Sequence, residues 1–183
     1  MEHSLEKRYR LNLSWDYEQE EQWINKLSAE GLHLVKPGAM KSTFAKNSSV
    51  RYTYCLDYQP GLGTTGPAQE YFDLYGDAGW EYVTSYHGIW HYFRREWSPK
   101  SVQKLYTDRE SLAGLYKKMQ RIMAVVLLSN VTTFLVMMIG LINRWSEMIW
   151  TVAIPVTVIY AFLFTLLGYG VIKTGRKIKE HIG

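Results

Sequence analysis

The side chains that could do chemistry form a short inventory. His33, His87 and His91 lie among the predicted elements of the first hundred residues, together with one cysteine, Cys55, and an aspartate two positions on, Asp57. Histidines four apart, as at 87 and 91, hold a metal when both project from one helix face. Here His87-Gly88 reads as a turn between strands, and no carboxylate or thiol stands at ligand spacing, so no metal site is expected. Cys55 falls within an alternating strand pattern, and no Cys-His-Asn arrangement surrounds it; it reads as a strand residue rather than a nucleophile. Asp57 is a candidate binding residue, with a pairing to Arg51 or to a turn amide as the structural alternative. Gly61, Gly63 and Gly66 lack the Lys-Ser or Lys-Thr that completes a phosphate loop and read as a connector. No catalytic residue and no cofactor emerges, and the chain is not expected to be an enzyme.

The aromatic residues are the anomaly. Tyr52, Tyr54, Tyr58, Trp80, Tyr82, Tyr86, Trp90, Tyr92 and Trp97 crowd the segments that read as strands. Small sheets are built from such residues, but these occupy both alternation parities, and two helices cover one sheet face. The excess predicts an uncovered aromatic face, with Tyr54, Asp57, Tyr58, Trp80, Trp90 and Tyr92 as the candidate binding residues. Such a face fits an apolar ligand, a second copy of the chain or a membrane-protein partner. Stacked single-stranded nucleic acid would also use aromatics, but no ribonucleoprotein-type motif is present and nucleic acid is not an expected partner.

Periodicity gives the elements that must position these residues. Residues 8–15 alternate, placing Tyr9, Leu11, Leu13 and Trp15 on one face of a strand. Asp16 and Gln19 read as a capping box opening a helix that stops at Gly31. Strands follow over 32–36, 42–46 and 50–58. Pro67 opens a second helix that stops at Gly79, and 80–86 and 89–95 form a hairpin around His87-Gly88. The two halves repeat each other: Ala29-Glu30-Gly31-Leu32-His33-Leu34-Val35 aligns with Asp77-Ala78-Gly79-Trp80-Glu81-Tyr82-Val83, and the strands that follow carry Phe44 and Phe93. A duplicated helix–hairpin unit of this order predicts an α+β fold, a ferredoxin-like antiparallel sheet with both helices on one face.

The last third has a different solvent. Residues 122–142 and 148–172 carry no charge, and at about 1.5 Å per residue each is long enough to cross a bilayer. They are expected to form a transmembrane hairpin about 143–147, with Trp145 and Trp150 at the interface. Lys117, Lys118 and Arg121 precede the first span and Lys173, Arg176, Lys177 and Lys179 follow the second, whereas the loop offers Arg144 alone. By the positive-inside rule both termini are cytoplasmic in a multi-pass protein of the cell membrane. The +4 net charge is read as part of this topology signal rather than as a nucleic-acid surface. Ala153, Thr157, Ala161 and Thr165 repeat every four residues, and Ser129 and Thr133 make a shorter stripe; these predict where the two spans pack. Asn130 is expected to bond across the helices, and Pro155 to bend the second span. No ionisable residue lies within either span, which argues against a proton or ion pathway. The start has no apolar run, so no secretory signal is expected. The organisation expected is a soluble domain over 1–97, a juxtamembrane amphipathic helix over 98–121, the hairpin over 122–172 and a basic tail over 173–183.

The block Tyr71-Phe72-Asp73-Leu74-Tyr75-Gly76-Asp77-Ala78-Gly79-Trp80-Glu81-Tyr82-Val83, followed by Trp90-His91-Tyr92-Phe93-Arg94, resembles a bacterial family, domain of unknown function 2812. Tyr54-Cys55-Leu56-Asp57-Tyr58 and residues 29–35 are similar to its other signatures, so the resemblance covers residues 8–97. It implies C-terminal membrane helices, common in that family, and genes placed beside PadR-type transcriptional repressors; it implies no activity and no site residues. The expected function is a membrane-anchored cytoplasmic binding or regulatory module, acting with such a repressor, the alternatives being an accessory subunit of a membrane complex and, behind both, a membrane-bound enzyme.

Overall fold

Residues 5–62, 66–99, 109–142 and 149–182 are described by a computed structural model, in two compact units divided between Thr107 and Asp108. The first unit is a tandem duplication. Its first repeat runs β1 (Leu5–Tyr9), a 3-10 turn (Ser14–Asp16), α1 (Tyr17–Ala29), β2 (Leu32–Lys36) and β3 (Lys41–Lys46). Its second runs β4 (Tyr52–Tyr58), α2 (Gly66–Asp77), β5 (Glu81–Tyr86) and β6 (Trp90–Glu96). Each repeat closes its own antiparallel sheet, ordered β1-β3-β2 and β4-β6-β5. The correspondence reaches single residues. Gly31 and Gly79 end the two helices at φ +80° and +79°, the left-handed conformation that stops a helix without steric cost. Register shifts fall at Val35, between Leu34 and Lys36, and at Val83, between Tyr82 and Thr84. Phe44 stands opposite Leu34 and Glu6, as Phe93 stands opposite Tyr82 and Cys55. The hairpin turn at His87-Gly88 has both residues at positive φ, which matches the twist of the strands it joins.

The single ferredoxin-like sheet is not what forms; there are two three-stranded sheets. The reason lies at the edge of β4. Alternate residues of a strand present their backbone groups to the same side, and on the side of β4 away from β6 three side chains of α1 meet them. Glu21 Oε2 accepts from Leu56 N at 3.0 Å. The Asn25 amide accepts from Tyr54 N at 2.7 Å and donates to Tyr54 O at 3.0 Å. Ser28 Oγ accepts from Tyr52 N at 2.9 Å and donates to Tyr52 O at 2.7 Å. Positions 21, 25 and 28 share one helix face, so α1 supplies the rungs a neighbouring strand would have supplied. The apolar stripe beside it, Tyr17, Ile24 and Leu27, is buried, and Trp23 meets Phe44 edge-on at 5.5 Å.

Other departures are local. The first strand spans Leu5–Tyr9 rather than 8–15, leaving Tyr9 and Leu11 exposed while Trp15 is buried in the 3-10 turn. Asp16 makes no side-chain cap to the α1 backbone; Gln19 Nε2 donates to its carboxylate instead, at 3.4 Å.

The second unit is a pair of long apolar helices, α3 (Arg109–Ile142) and α4 (Ile149–Ile182), packed together. Both continue past the uncharged segments. The stretch expected to be juxtamembrane is helical from Arg109, and residues 173–182, expected as a tail, complete α4. In these extensions Gln120 Nε2 donates to Val171 O at 3.1 Å, and Lys177 Nζ lies 5.3 Å from the Tyr116 ring centroid. Ala113, Leu115, Tyr116, Met119 and Thr174 are buried there. The loop at 143–147, with Arg144 and Trp145, and the linker residues 100–108 lie outside the described residues.

Asn25 tests the edge cap. Replacing it by alanine strips both backbone groups of Tyr54 of their partner, a loss of about 2–3 kcal/mol. Hydrogen exchange of the Tyr54 amide in Asn25→Ala should accelerate accordingly, whereas the exposed control Lys26→Ala should leave its rate unchanged.

Candidate functional site

The six residues expected on an open aromatic face are all buried, between 0 and 6 % exposed. They do not share one face. Trp80 and Asp57 belong to the side of the second sheet that α2 covers, where Cys55, Trp80 and Phe93 pack against Tyr71, Phe72 and Tyr75. Tyr54, Tyr58, Trp90 and Tyr92 occupy the opposite side, and the first repeat covers them. The Tyr54 hydroxyl accepts from Leu34 N at 3.2 Å, so the tyrosine also serves the edge of β2. Trp90 stacks on Tyr17 at 5.2 Å and meets Tyr58 at 5.0 Å, and its indole N–H donates to Ser14 Oγ at 3.3 Å. Tyr92 OH donates to Glu20 at 2.8 Å. Beside Trp90 and Tyr92 a cavity of about 20 Å³ remains, the size of one water and far too small for an apolar ligand.

The polar groups inside this core are reagents withdrawn from solvent. Asp57 accepts from the hydroxyl of Tyr71 and, at 2.8 Å, from that of Tyr75. Burial and the Asp57 charge both drive the ionisation of these phenols upward, which leaves them as fixed donors. The Cys55 thiol is fully buried; burial first, then the carboxylates of Glu21 and Asp57, push its ionisation up, the reverse of an activated thiol. His91 lies against the rings of Tyr71 and Phe72, and burial holds it below the usual imidazole range. Among the described residues no cluster of three metal-ligating side chains exists.

An uncovered face does exist, on the other sheet. Cross-strand partners share a face, and the register groups Leu5, Lys7 and Tyr9 of β1 with Ala45, Thr43 and Lys41 of β3 and with His33 and Lys36 of β2, of which His33 alone is buried. α1 lies on the opposite side, over Phe44. Tyr9 is 73 % exposed and Met40, in the adjoining turn, 68 %; Leu5, Leu11 and Val35 are exposed as well. Lys41 Nζ sits 5.9 Å from the Tyr9 ring centroid. The cross-strand residues named on this face include three lysines and no carboxylate. One sequence signal pointed here: strands of the first repeat alternate lysine with small or apolar residues where those of the second carry aromatics.

The residues assigned to helix packing divide. Ala153 is buried, but Thr157, Ala161, Thr165, Ser129 and Thr133 are exposed, so the stripe does not mark the contact. A repeat of four on a helix of 3.6 residues per turn drifts about 40° per step, and three steps carry it off the interface. Among the less exposed positions of α4, Ala153, Val156, Tyr160, Phe164, Leu167, Val171 and Thr174 follow one another at steps of three or four, a mixed spacing that keeps one seam facing a partner. Phe134 of α3 meets Tyr160 at 5.0 Å and Phe164 at 5.8 Å. Outward hydroxyls satisfy themselves along their own helix: Thr133 donates to Ser129 O at 2.9 Å and Thr165 to Ala161 O at 2.8 Å. Asn130 does the same, donating to Val126 O at 2.8 Å rather than across the pair.

A family model described as Protein of unknown function (DUF2812) matches residues 16–128. The match reaches beyond the first unit and takes in the first twenty residues of α3. Among curated proteins and among solved structures, nothing matches the chain.

Two outcomes check this arrangement. Burial raises the Glu20 carboxyl above its ordinary 4.5, against the lowering effect of the Tyr92 bond and the Arg10 charge. A carboxyl raised in the folded state holds its proton there while the unfolded chain has lost it, so stability falls as pH climbs above 4.5. Glu20→Gln keeps an acceptor for both Tyr92 and Asn12; denaturation profiles should lose that decline and show a variant more stable than wild type at neutral pH. In the second unit, Ala153→Leu should overpack the helix pair at a cost of about 1–3 kcal/mol, read by thermal unfolding in micelles, while Ala161→Leu should be silent.

Proposed function

The chain belongs to the family described as Protein of unknown function (DUF2812), and we propose that it is a membrane-anchored interaction module whose N-terminal unit docks a protein partner on the outer face of the β1-β3-β2 sheet. The observation that carries this reading is that face: Tyr9, Leu5, Val35 and Met40 exposed beside Lys7, Lys36 and Lys41. Apolar side chains ringed by one sign of charge favour a partner of opposite charge and similar apolar centre, here a protein surface of apolar residues rimmed by carboxylates. Anchorage is assigned to α3 and α4, which are long and apolar enough to cross a membrane, are almost entirely unburied by the rest of the chain and satisfy their own polar side chains. Lysines and arginines at the outer ends of both helices favour cytoplasmic termini. The resemblance noted in the sequence implies neighbouring repressor genes, and on that expectation regulation would be the natural use of such a module.

The test uses native membranes. With a membrane-impermeant lysine reagent, Lys36 and Lys41 should stay unmodified in right-side-out vesicles. In inside-out vesicles they should react slowly until high salt strips the partner, then several-fold faster, with oxidation of Met40 rising in parallel. Salt-independent rates at all three residues would sink the docking reading, and modification from the outside would reverse the topology.

A further inference from the structure

One interface of the duplication is made in the first unit and its counterpart is left open. Helix positions correspond between the repeats at a separation of 48, set by Gly31 with Gly79 and Val35 with Val83; strand positions correspond at 49, set by Phe44 with Phe93, whose β1 and β4 partners are Glu6 and Cys55. The α1 residues that cap β4, Glu21 and Asn25, therefore correspond to Gln69 and Asp73 of α2. The capped residues Leu56 and Tyr54 correspond to Lys7 and Leu5 of β1.

Both counterparts are present and unused by each other. Arg10 N donates to Met40 O at 3.1 Å and Asn12 N to Ala39 O at 2.8 Å, so the even positions of this segment turn their backbone to the β3 side. Leu5, Lys7 and Tyr9 then turn theirs outward, and among the described residues no strand or helix packs along that edge. Within one chain α2 packs on β5. Gln69 and Asp73 are exposed, and Gln69 Nε2 donates to Asp73 Oδ1 at 2.8 Å, an exposed bond that capping a strand edge would exchange for backbone partners. The charges match as well: the exposed positions of α2 include Glu70, Asp73 and Asp77, and the β1 segment carries Lys7, Arg8 and Arg10, with Glu6 paired to Arg8 at 2.7 Å, a net positive strand.

We propose that the open edge of β1 is capped by α2 of a second copy of this chain, with Gln69 opposite Lys7 and Asp73 opposite Leu5, repeating between molecules the cap that α1 places on β4 within one. The Gln69 amide can accept from Lys7 N and donate to Lys7 O; the Asp73 carboxylate accepts from Leu5 N and has nothing to donate, so this cap is weaker than its internal model and suits a reversible contact. Made twice, reciprocally, the contact closes a two-fold dimer. It engages the strand's edge rather than the outer sheet face, and so stands independently of the partner assigned there.

Two single substitutions, Lys7→Cys and Gln69→Cys, are made in the full chain, tagged differently and expressed together. Cys55 stays, being fully buried. Mild oxidation in membranes should give a mixed disulfide dimer roughly tenfold above the pair Glu30→Cys with Gln69→Cys. Dimer content, read by single-molecule bleaching in nanodiscs, should drop about tenfold in Asp73→Lys, which removes the acceptor for Leu5 N and sets a positive charge beside Lys7, and recover in part, through the charge alone, when Lys7→Glu is added. Four results would overturn the proposal: crosslinking no better than the control; a disulfide formed within one chain carrying both cysteines; charge reversal without effect on dimer content; or protection of Lys7→Cys that follows anionic lipid content with no crosslink, which would give the edge to the bilayer. Dimer loss in Asp73→Lys with unchanged salt-dependent shielding of Lys36 would leave the outer-face reading standing.

Discussion

The fold turns on how one strand edge is satisfied. β4 ends its sheet with backbone donors and acceptors that point toward the interior of the first unit, where an unpaired group costs as much as a lost hydrogen bond. A further strand would have paired them and fused the two repeats into one continuous sheet. Instead Glu21, Asn25 and Ser28 of α1 take that place, with the Asn25 amide standing in for a peptide group. A helix along the edge ends the sheet there, and the second repeat must place its own sheet against the first repeat rather than beside it. Two three-stranded sheets, each with its own helix, follow from that substitution.

The aromatic residues follow in turn. A sheet with one helix on one face leaves the other bare only if nothing else packs on it. Here Tyr17, Leu34 and Glu20 of the first repeat meet Trp90, Tyr54 and Tyr92 of the second, so both faces of the second sheet are interior. Tyrosine suits this position because its ring fills volume and its hydroxyl reaches a partner. The Asp57, Tyr71 and Tyr75 cluster solves the same problem for a carboxylate, which two phenols solvate in place of water. What remains open is the sheet that carries fewer aromatics, and there lysines hold its exposed tyrosine and leucines in solution.

The helix pair obeys a different constraint. Under the membrane anchorage proposed above, contact would be decided by fit and by which face stays in register with the partner over many turns. Side chains at mixed steps of three and four, with Tyr160 and Phe164 against Phe134, do this. Small residues at strict fours spiral away, and their hydroxyls bond to carbonyls of their own helix.

Local order was legible in the chain alone. Strand and helix periods, the stops at Gly31 and Gly79, the turn at His87-Gly88, the duplication with its paired valines and phenylalanines, and the two long apolar helices each depend on neighbours a few residues apart, and such patterns survive in one dimension. The side of a sheet that stays uncovered does not. Alternation tells that Tyr54 and Cys55 point opposite ways; it cannot tell that the first repeat lies over one and α2 over the other. The same holds for Asn25, which reads as an ordinary helix residue until Tyr54 stands 29 positions away with its backbone turned toward it. Where the edge of β4 is capped and the edge of β1 is not, the sequence shows two similar halves. Only the tertiary structure distinguishes them, because one chain brings α1 to β4 and has no second turn of the repeat to bring α2 to β1.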